Sequence, residues 1–195
     1  MLTIPGVIWR DSNGTERAVD ITTRLLRDRI VMCTGEITEE LAESIVAQLL
    51  YLEAENKDKP IKMLIQGPGG SVSCGNSIIS VMKSISCPVH TIAMGSVASM
   101  SALITISGSK GNRSAYPNTE IMLHSVSSGS RGTYQDMKVS FEQMQKVQEN
   151  CMKQIAEACG KTLEEVKKDC DRDFWMTEQE ALAYGAIDKI IEPHK

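Results

Sequence analysis

Three short apolar runs, each closing on glycine, constrain this chain more than any other feature in it. Arg29-Ile30-Val31-Met32-Cys33-Thr34 meets Gly35. Ile61 to Gln66 runs into Gly67-Pro68-Gly69-Gly70. Val89 to Met94 ends at Gly95. A helical stretch lies between each pair. Thr38 is placed to cap the first, with Glu39 and Glu40 favourable in its opening turn. Leu41, Ile45, Leu49 and Leu52 give it one apolar face, and Asn56 to Pro60 break it. Ile78, Val81, Met82 and Ile85 mark the second helix, closed by Cys87-Pro88. Strand, helix, strand, helix, strand predicts βαβ units and a parallel sheet, hence an α/β fold. The glycine-bounded loops then fall at the C-terminal ends of strands, where such sheets bind ligands.

The remaining chain adds to this frame. Residues 1–19 are expected to be irregular, with turn signals at Pro5-Gly6 and Asn13-Gly14. Ile21 to Leu26 is short and mixed. Tyr116 to Thr119 reads as a turn, Glu120 to His124 as a strand, and Ser125 to Thr133 as a flexible Gly/Ser-rich loop. A long helix is expected from about Tyr134 to Cys159. Met137, Phe141, Met144, Gln148, Cys151, Ile155 and Ala158 form a seam spaced alternately by four and three residues, the stripe of a helix meeting another lengthwise. Docking on its own sheet and packing against another subunit are both open. Thr162 with Glu165, and Thr177 with Glu180, are capping boxes that start two more helices. Ala186 to Ile191 reads as a last short strand. At 195 residues, one domain is the default.

A net charge of −4 argues against nucleic-acid binding. No apolar run is long enough to span a membrane, and Met1 to Gly6 has neither the basic nor the apolar region of a signal peptide. Cys33, Cys74, Cys87, Cys151, Cys159 and Cys170 form no C-x-x-C pair, so zinc spacing is absent. Reduced thiols in a cytosolic compartment are expected, with Cys33, Cys74 and Cys151 as core residues.

Chemistry concentrates in Met94 to Ile106, read as strand, tight turn and buried helix. A serine here, among Ser96, Ser99 and Ser101, would sit where backbone N–H groups are unpaired and the helix dipole is positive. Those features suit a nucleophile and its oxyanion; the alternative is that small residues only let helix and sheet approach. Of three histidines, His194 is penultimate, His90 starts a buried strand, and His124 closes a strand before a glycine-rich loop. His124 is the best candidate base, against a plain strand-end role. The Gly67 to Gly70 stretch could cradle an oxyanion or phosphate, or be only a tight turn. It is neither a Walker loop nor G-x-G-x-x-G, so any ATP dependence must come from a partner. Asp169, Asp171 and Asp173 can each orient a histidine, and spacing does not choose among them. The start of a calcium loop at Asp169 is rejected because Phe174 stands where glycine is needed.

These residues together resemble the ClpP family, the proteolytic subunits of ATP-dependent Clp proteases. The match runs through R-L-L-R-D-R-I at 24–30, I-V-A-Q-L-L-Y-L-E-A-E-N at 45–56, P-G-G at 68–70 and M-G-S-V-A-S-M-S-A at 94–102. It continues with M-L-H at 122–124, D-R-D-F-W-M at 171–176 and E-A-L-A-Y-G-A-I-D at 180–188. The resemblance implies a crotonase-like α/β spiral of βαβ units and a serine endopeptidase. Ser99 would be its nucleophile, His124 its base and Asp173 the orienting acid. The backbone N–H groups of Gly70 and Met100 would form the oxyanion hole, and substrate would pair near Ser71–Val72 and Ser125–Val126. Residues 1–19 would be an axial segment and 20–195 a single domain, with a handle at about 125–159. The implied assembly is a tetradecamer of two stacked heptameric rings, with Asp171 and Arg172 pairing across them. The implied partners are polypeptide substrates, a hexameric AAA+ unfoldase that alone uses ATP, and a second ClpP-type subunit in a divergent paralogue. No cofactor or metal, no nucleic acid, no membrane and a cytoplasmic location are expected. His124 is followed by Ser-Val where Gln-Pro is usual, Gln66-Gly67 stands for Asn-Ser, and Ser96-Val97 stands for Gln-Ala. The unfoldase-docking positions match Lys62, Leu64 and Ser114, where relatives carry aromatic residues, so weak docking is expected. A crotonase-type acyl-CoA enzyme and a degenerate scaffold subunit share this frame and are the rival readings.

Overall fold

The computed structural model describes residues 6–10 and 14–192. The first element is not irregular. β1 (Gly6–Arg10) and β2 (Glu16–Asp20) form an antiparallel hairpin apart from the main sheet. Asp20 caps α1 (Ile21–Arg27) by accepting from the Thr23 backbone N–H at 2.8 Å. Trp9 lies with Arg27 over its ring at 3.8 Å, tying hairpin to helix. The expectations at Pro5, Asn13 and His194 lie outside the described residues.

β3 (Ile30–Ile37), β4 (Ile61–Gly70) and β5 (Val89–Ala98) pair in parallel, joined by α2 (Glu39–Glu55) and α3 (Val72–Ser84). The caps fall where the sequence put them: Thr38 accepts from the Leu41 N–H, and Asn56 ends α2. Ala42, Ile45, Leu49 and Leu52 are buried, as are Ile78, Ile79 and Met82 of α3. The strands, however, run past their glycines. Gly69 and Gly70 stay in β4 by pairing with Glu36 and Ile37, and Gly67 pairs with Val97. Breaker residues hold strand geometry here because both neighbours supply hydrogen-bond partners.

After α4 (Met100–Ile106), β6 (Arg113–Ala115) pairs with β5 through Thr91 to Ala93. β7 (Glu120–Leu123) pairs with the same strand further on, through Ser96 to Ala98. The sheet therefore forks at Gly95. The long helix α5 (Tyr134–Cys159) starts on a third capping box, Thr133 with Asp136, and ends at Gly160 in the left-handed region. α6 (Leu163–Asp169) and α7 (Glu178–Tyr184) start on the two capping boxes read from sequence. Between them β8 (Phe174–Thr177) pairs antiparallel with β7, and β9 (Lys189–Ile190) closes the seven-stranded sheet against β6.

β6 carries a buried ion pair. The Arg113 guanidinium, 4% exposed, donates to both Asp188 oxygens and to the carbonyl of Ala158 at 2.9 Å. Burial pushes the Asp188 carboxyl up, but the hydrogen bonds and charge of Arg113 outweigh it and hold it below the ordinary carboxylate value. The seam of α5 divides. Cys151, Met152, Ile155 and Ala156 are buried against the core, while residues 134–143 are exposed throughout, Met137 and Phe141 included.

Candidate active site

The site begins with an unusual backbone. Ser99 sits between β5 and α4 at φ 56°, ψ −123°, a conformation that costs an L residue about 1–3 kcal/mol and persists only when its surroundings over-determine it. Its N–H donates to the Met122 carbonyl at 2.9 Å, and its carbonyl accepts from the Leu103 N–H at 3.0 Å. Gly69 lies directly beneath: a Cβ there would fall 2.6 Å from the Ser99 Cβ and 2.9 Å from the Met100 nitrogen. Only glycine allows β4 to approach so closely. Gly70, at φ 145°, would place a Cβ 2.6 Å from the Ile37 carbonyl oxygen.

His124 follows β7, and its Nε2 lies 2.8 Å from the Ser99 Oγ. Its Nδ1 faces the Asp173 Oδ1 at 3.4 Å. The first distance is a good hydrogen bond; the second is longer than one. If Nε2 accepts the serine proton, Nδ1 carries the ring hydrogen and points at the carboxylate. The His124 side chain is 25% exposed and that of Asp173 61%. A cleft beside Ser99 is lined by Gly70, Val72, Met100, Leu123, Val126 and Ile155. Its apolar wall suits an apolar side chain next to a reacting carbonyl.

Ser71 caps α3, and its own N–H donates to the Ile37 carbonyl at 2.9 Å. Val72 is already helical, so extended backbone stops at Gly70. The Val126 N–H donates to the Gln148 Oε1 at 2.6 Å. Neither the Ser71 nor the Val126 N–H is free to donate to a substrate strand. Ser114 is 3% exposed and its hydroxyl donates to the Thr91 carbonyl, so it presents no docking surface. Lys62 is exposed and Leu64 half-buried. Lys62 pairs in register with His90, whose pKa is lowered by burial and then by the charges of Lys189 and Lys62. Asp171 and Arg172 are exposed, 4.0 Å apart. Cys33 and Cys151 are buried, Cys74 half-buried, and all six thiols are free. Burial pushes Cys33 and Cys170 up to about 12 and Cys159 up to about 11, so these thiols stay protonated.

Gln148 is the residue that reasoning from the sequence missed. Its signal was present: it is the one amide in an otherwise apolar seam. Among the described residues no group of three His, Cys, Asp or Glu could hold a metal, and no helix is long and apolar enough to cross a membrane.

Residues 13–194 match the family model described as Clp protease. Relatives include the ATP-dependent Clp protease proteolytic subunits of Streptococcus pyogenes serotype M5 (strain Manfredo) and Streptococcus equi subsp. equi (strain 4047). Each is 44% identical over 191 residues, which cover 97% of this chain and 97% of the relative.

Proposed function

Since the chain belongs to the Clp protease family, we propose that Ser99, His124 and Asp173 are its catalytic triad, and that the backbone N–H groups of Gly70 and Met100 are its oxyanion hole. Family membership makes the chain a serine protease with the crotonase-like fold, working with a partner unfoldase in ATP-dependent proteolysis. The observation that carries the residue assignment is the 2.8 Å contact between the Ser99 Oγ and the His124 Nε2. An acyl-CoA hydratase built on this scaffold needs no such pair.

In this reading His124 takes the Ser99 proton as the oxygen attacks a peptide carbonyl. The carbonyl oxygen becomes an oxyanion and accepts hydrogen bonds from the two backbone donors. Those donors are fixed before reaction, so no reorganisation is needed when the charge develops. His124 then protonates the leaving amine. Water, activated by the same imidazole, hydrolyses the acyl-enzyme and regenerates Ser99. Asp173 holds the Nδ1–H and stabilises the imidazolium. No step uses a metal or cofactor; ATP is consumed by the unfoldase.

The finer assembly belongs to the same proposal. Two stacked heptameric rings would enclose the sites, with the exposed tip of α5, Asp171 and Arg172 at the junction. Residues 1–19 would border the axial entrance and 20–195 form the one domain. Lys62 and Leu64 would face the AAA+ unfoldase, and the protein would work in the cytoplasm. Mixing with a second ClpP-type subunit tests whether the rings are homomeric.

The test uses the assembled protein. Ser99→Ala abolishes hydrolysis of a short fluorogenic peptide and removes fluorophosphonate labelling, while the native mass stays unchanged. Persistent cleavage by that variant refutes the assignment.

A further inference from the structure

Gln148 sits where α5 passes from its buried root to its exposed tip. The Val126 N–H can only donate, so the atom facing it at 2.6 Å is the Gln148 Oε1. That fixes the amide: the Gln148 Nε2 then donates to the Ser125 Oγ at 2.9 Å. With its oxygen already accepting, the Ser125 hydroxyl spends its single proton on the Cys170 carbonyl, also at 2.9 Å. Every hydrogen in this relay has one direction. All four residues are half-buried or buried, where a hydrogen bond is stronger than in water and a missing partner costs more.

The relay joins the two segments that carry the acid and the base. Ser125 follows His124 directly, and Cys170 caps the C-terminus of α6 three residues before Asp173. No hydrogen bond within usual limits links His124 to Asp173, whose carboxylate is exposed. The β7–β8 ladder, with Leu123 opposite Phe174, fixes the backbone beside both residues, and the relay adds a side-chain tie just past the end of that ladder. We propose that Gln148 is a positioning residue that, together with the β7–β8 ladder, sets the His124–Asp173 separation through Ser125 and Cys170, coupling the root of α5 to the reaction. This rests on the triad reading above. Gln148 does not touch the reacting atoms.

The chemistry supplies a selective variant. Gln148→Glu keeps shape and keeps an acceptor for the Val126 N–H. It cannot donate to Ser125, so the serine proton turns to the new carboxylate and the Cys170 carbonyl is released. Ser125→Ala breaks the same tie by losing only a hydroxyl, which guards against a folding defect in the first variant. Peptide hydrolysis is followed as kcat and KM separately, with native mass and fluorophosphonate labelling rate measured alongside. Each single variant lowers kcat about five- to tenfold, the scale of one partly buried hydrogen bond, and leaves KM within about twofold. The double variant is no worse than the worse single, because both cut one tie. An unchanged kcat, a loss confined to KM, single losses that multiply, or a loss that follows a change in native mass overturns the proposal. Wild-type behaviour of Gln148→Glu beside an inactive Ser99→Ala overturns the relay alone. Cleavage by Ser99→Ala overturns the triad reading, and the relay with it.

Discussion

The two nitrogens of His124 face two differently built parts of the molecule. On the Nε2 side, Ser99 is wedged between β5, β7, α4 and Gly69, with backbone hydrogen bonds on both its flanks. On the Nδ1 side, Asp173 stands in a short exposed stretch between α6 and β8, at 3.4 Å. The proposed nucleophile is placed by close packing in the middle of the sheet. The proposed acid is placed at its edge, where the β7–β8 ladder ends and the Gln148 relay begins. The molecule thus fixes the strained residue on every side and leaves the proposed orienting acid open to its surroundings.

Substitutions can break this contrast. Ser99→Ala removes the bond-forming atom, and a loss in kcat on the order of 10⁶ is expected from peptide hydrolysis. Asp173→Ala should cost less, about 10⁴, with a melting temperature unchanged because the side chain is exposed. An equal loss from both would mean that Asp173 is held as firmly as Ser99. Gly69→Ala pushes a methyl against the Ser99 Cβ. A displacement on the order of 1 Å costs about 10² in kcat, whereas a near-normal rate would show that the nucleophile is not wedged. Asp188→Asn probes rigidity without touching the reaction. It strands the buried Arg113 charge and lowers unfolding free energy by about 3 kcal/mol in denaturant titrations, with kcat of the folded protein retained. The folded Asp188 carboxyl titrates below the ordinary 3.8. Its contribution is therefore complete above that value and is lost as pH falls through the lower one. The stability gap between wild type and Asp188→Asn closes below about pH 4.

The same contrast explains what could be read from the chain. Thr38, Thr162 and Thr177 could be read as caps because their partners lie within one helical turn. The alternation of β3, α2, β4, α3 and β5 was legible because each element is long and periodic. The strand through Gly67 to Gly70 was not, since its glycines and proline are held extended by Ile37 and Val97 from elsewhere in the fold. β6 was missed because Arg113 looks like a surface residue until Asp188, far along the chain, is beside it. The hairpin at the start was read as irregular because its strands mix polar and apolar residues without clean alternation. At the site, the strand–turn–helix at Ser99 and the strand-end histidine were visible in the residues themselves. The choice of Asp173 over Asp169 and Asp171 was not; it came from likeness to relatives, because no local rule ties positions on different elements.

The late pairing of β8 with β7 and of β9 with β6 carries a consequence for biosynthesis. On the ribosome, Ser99 and His124 emerge well before Asp173, while a domain generally folds as a unit. A nascent polypeptide that has not reached residue 173 lacks the carboxylate proposed to orient the imidazole. On the triad reading, the site is complete only once synthesis has passed residue 173.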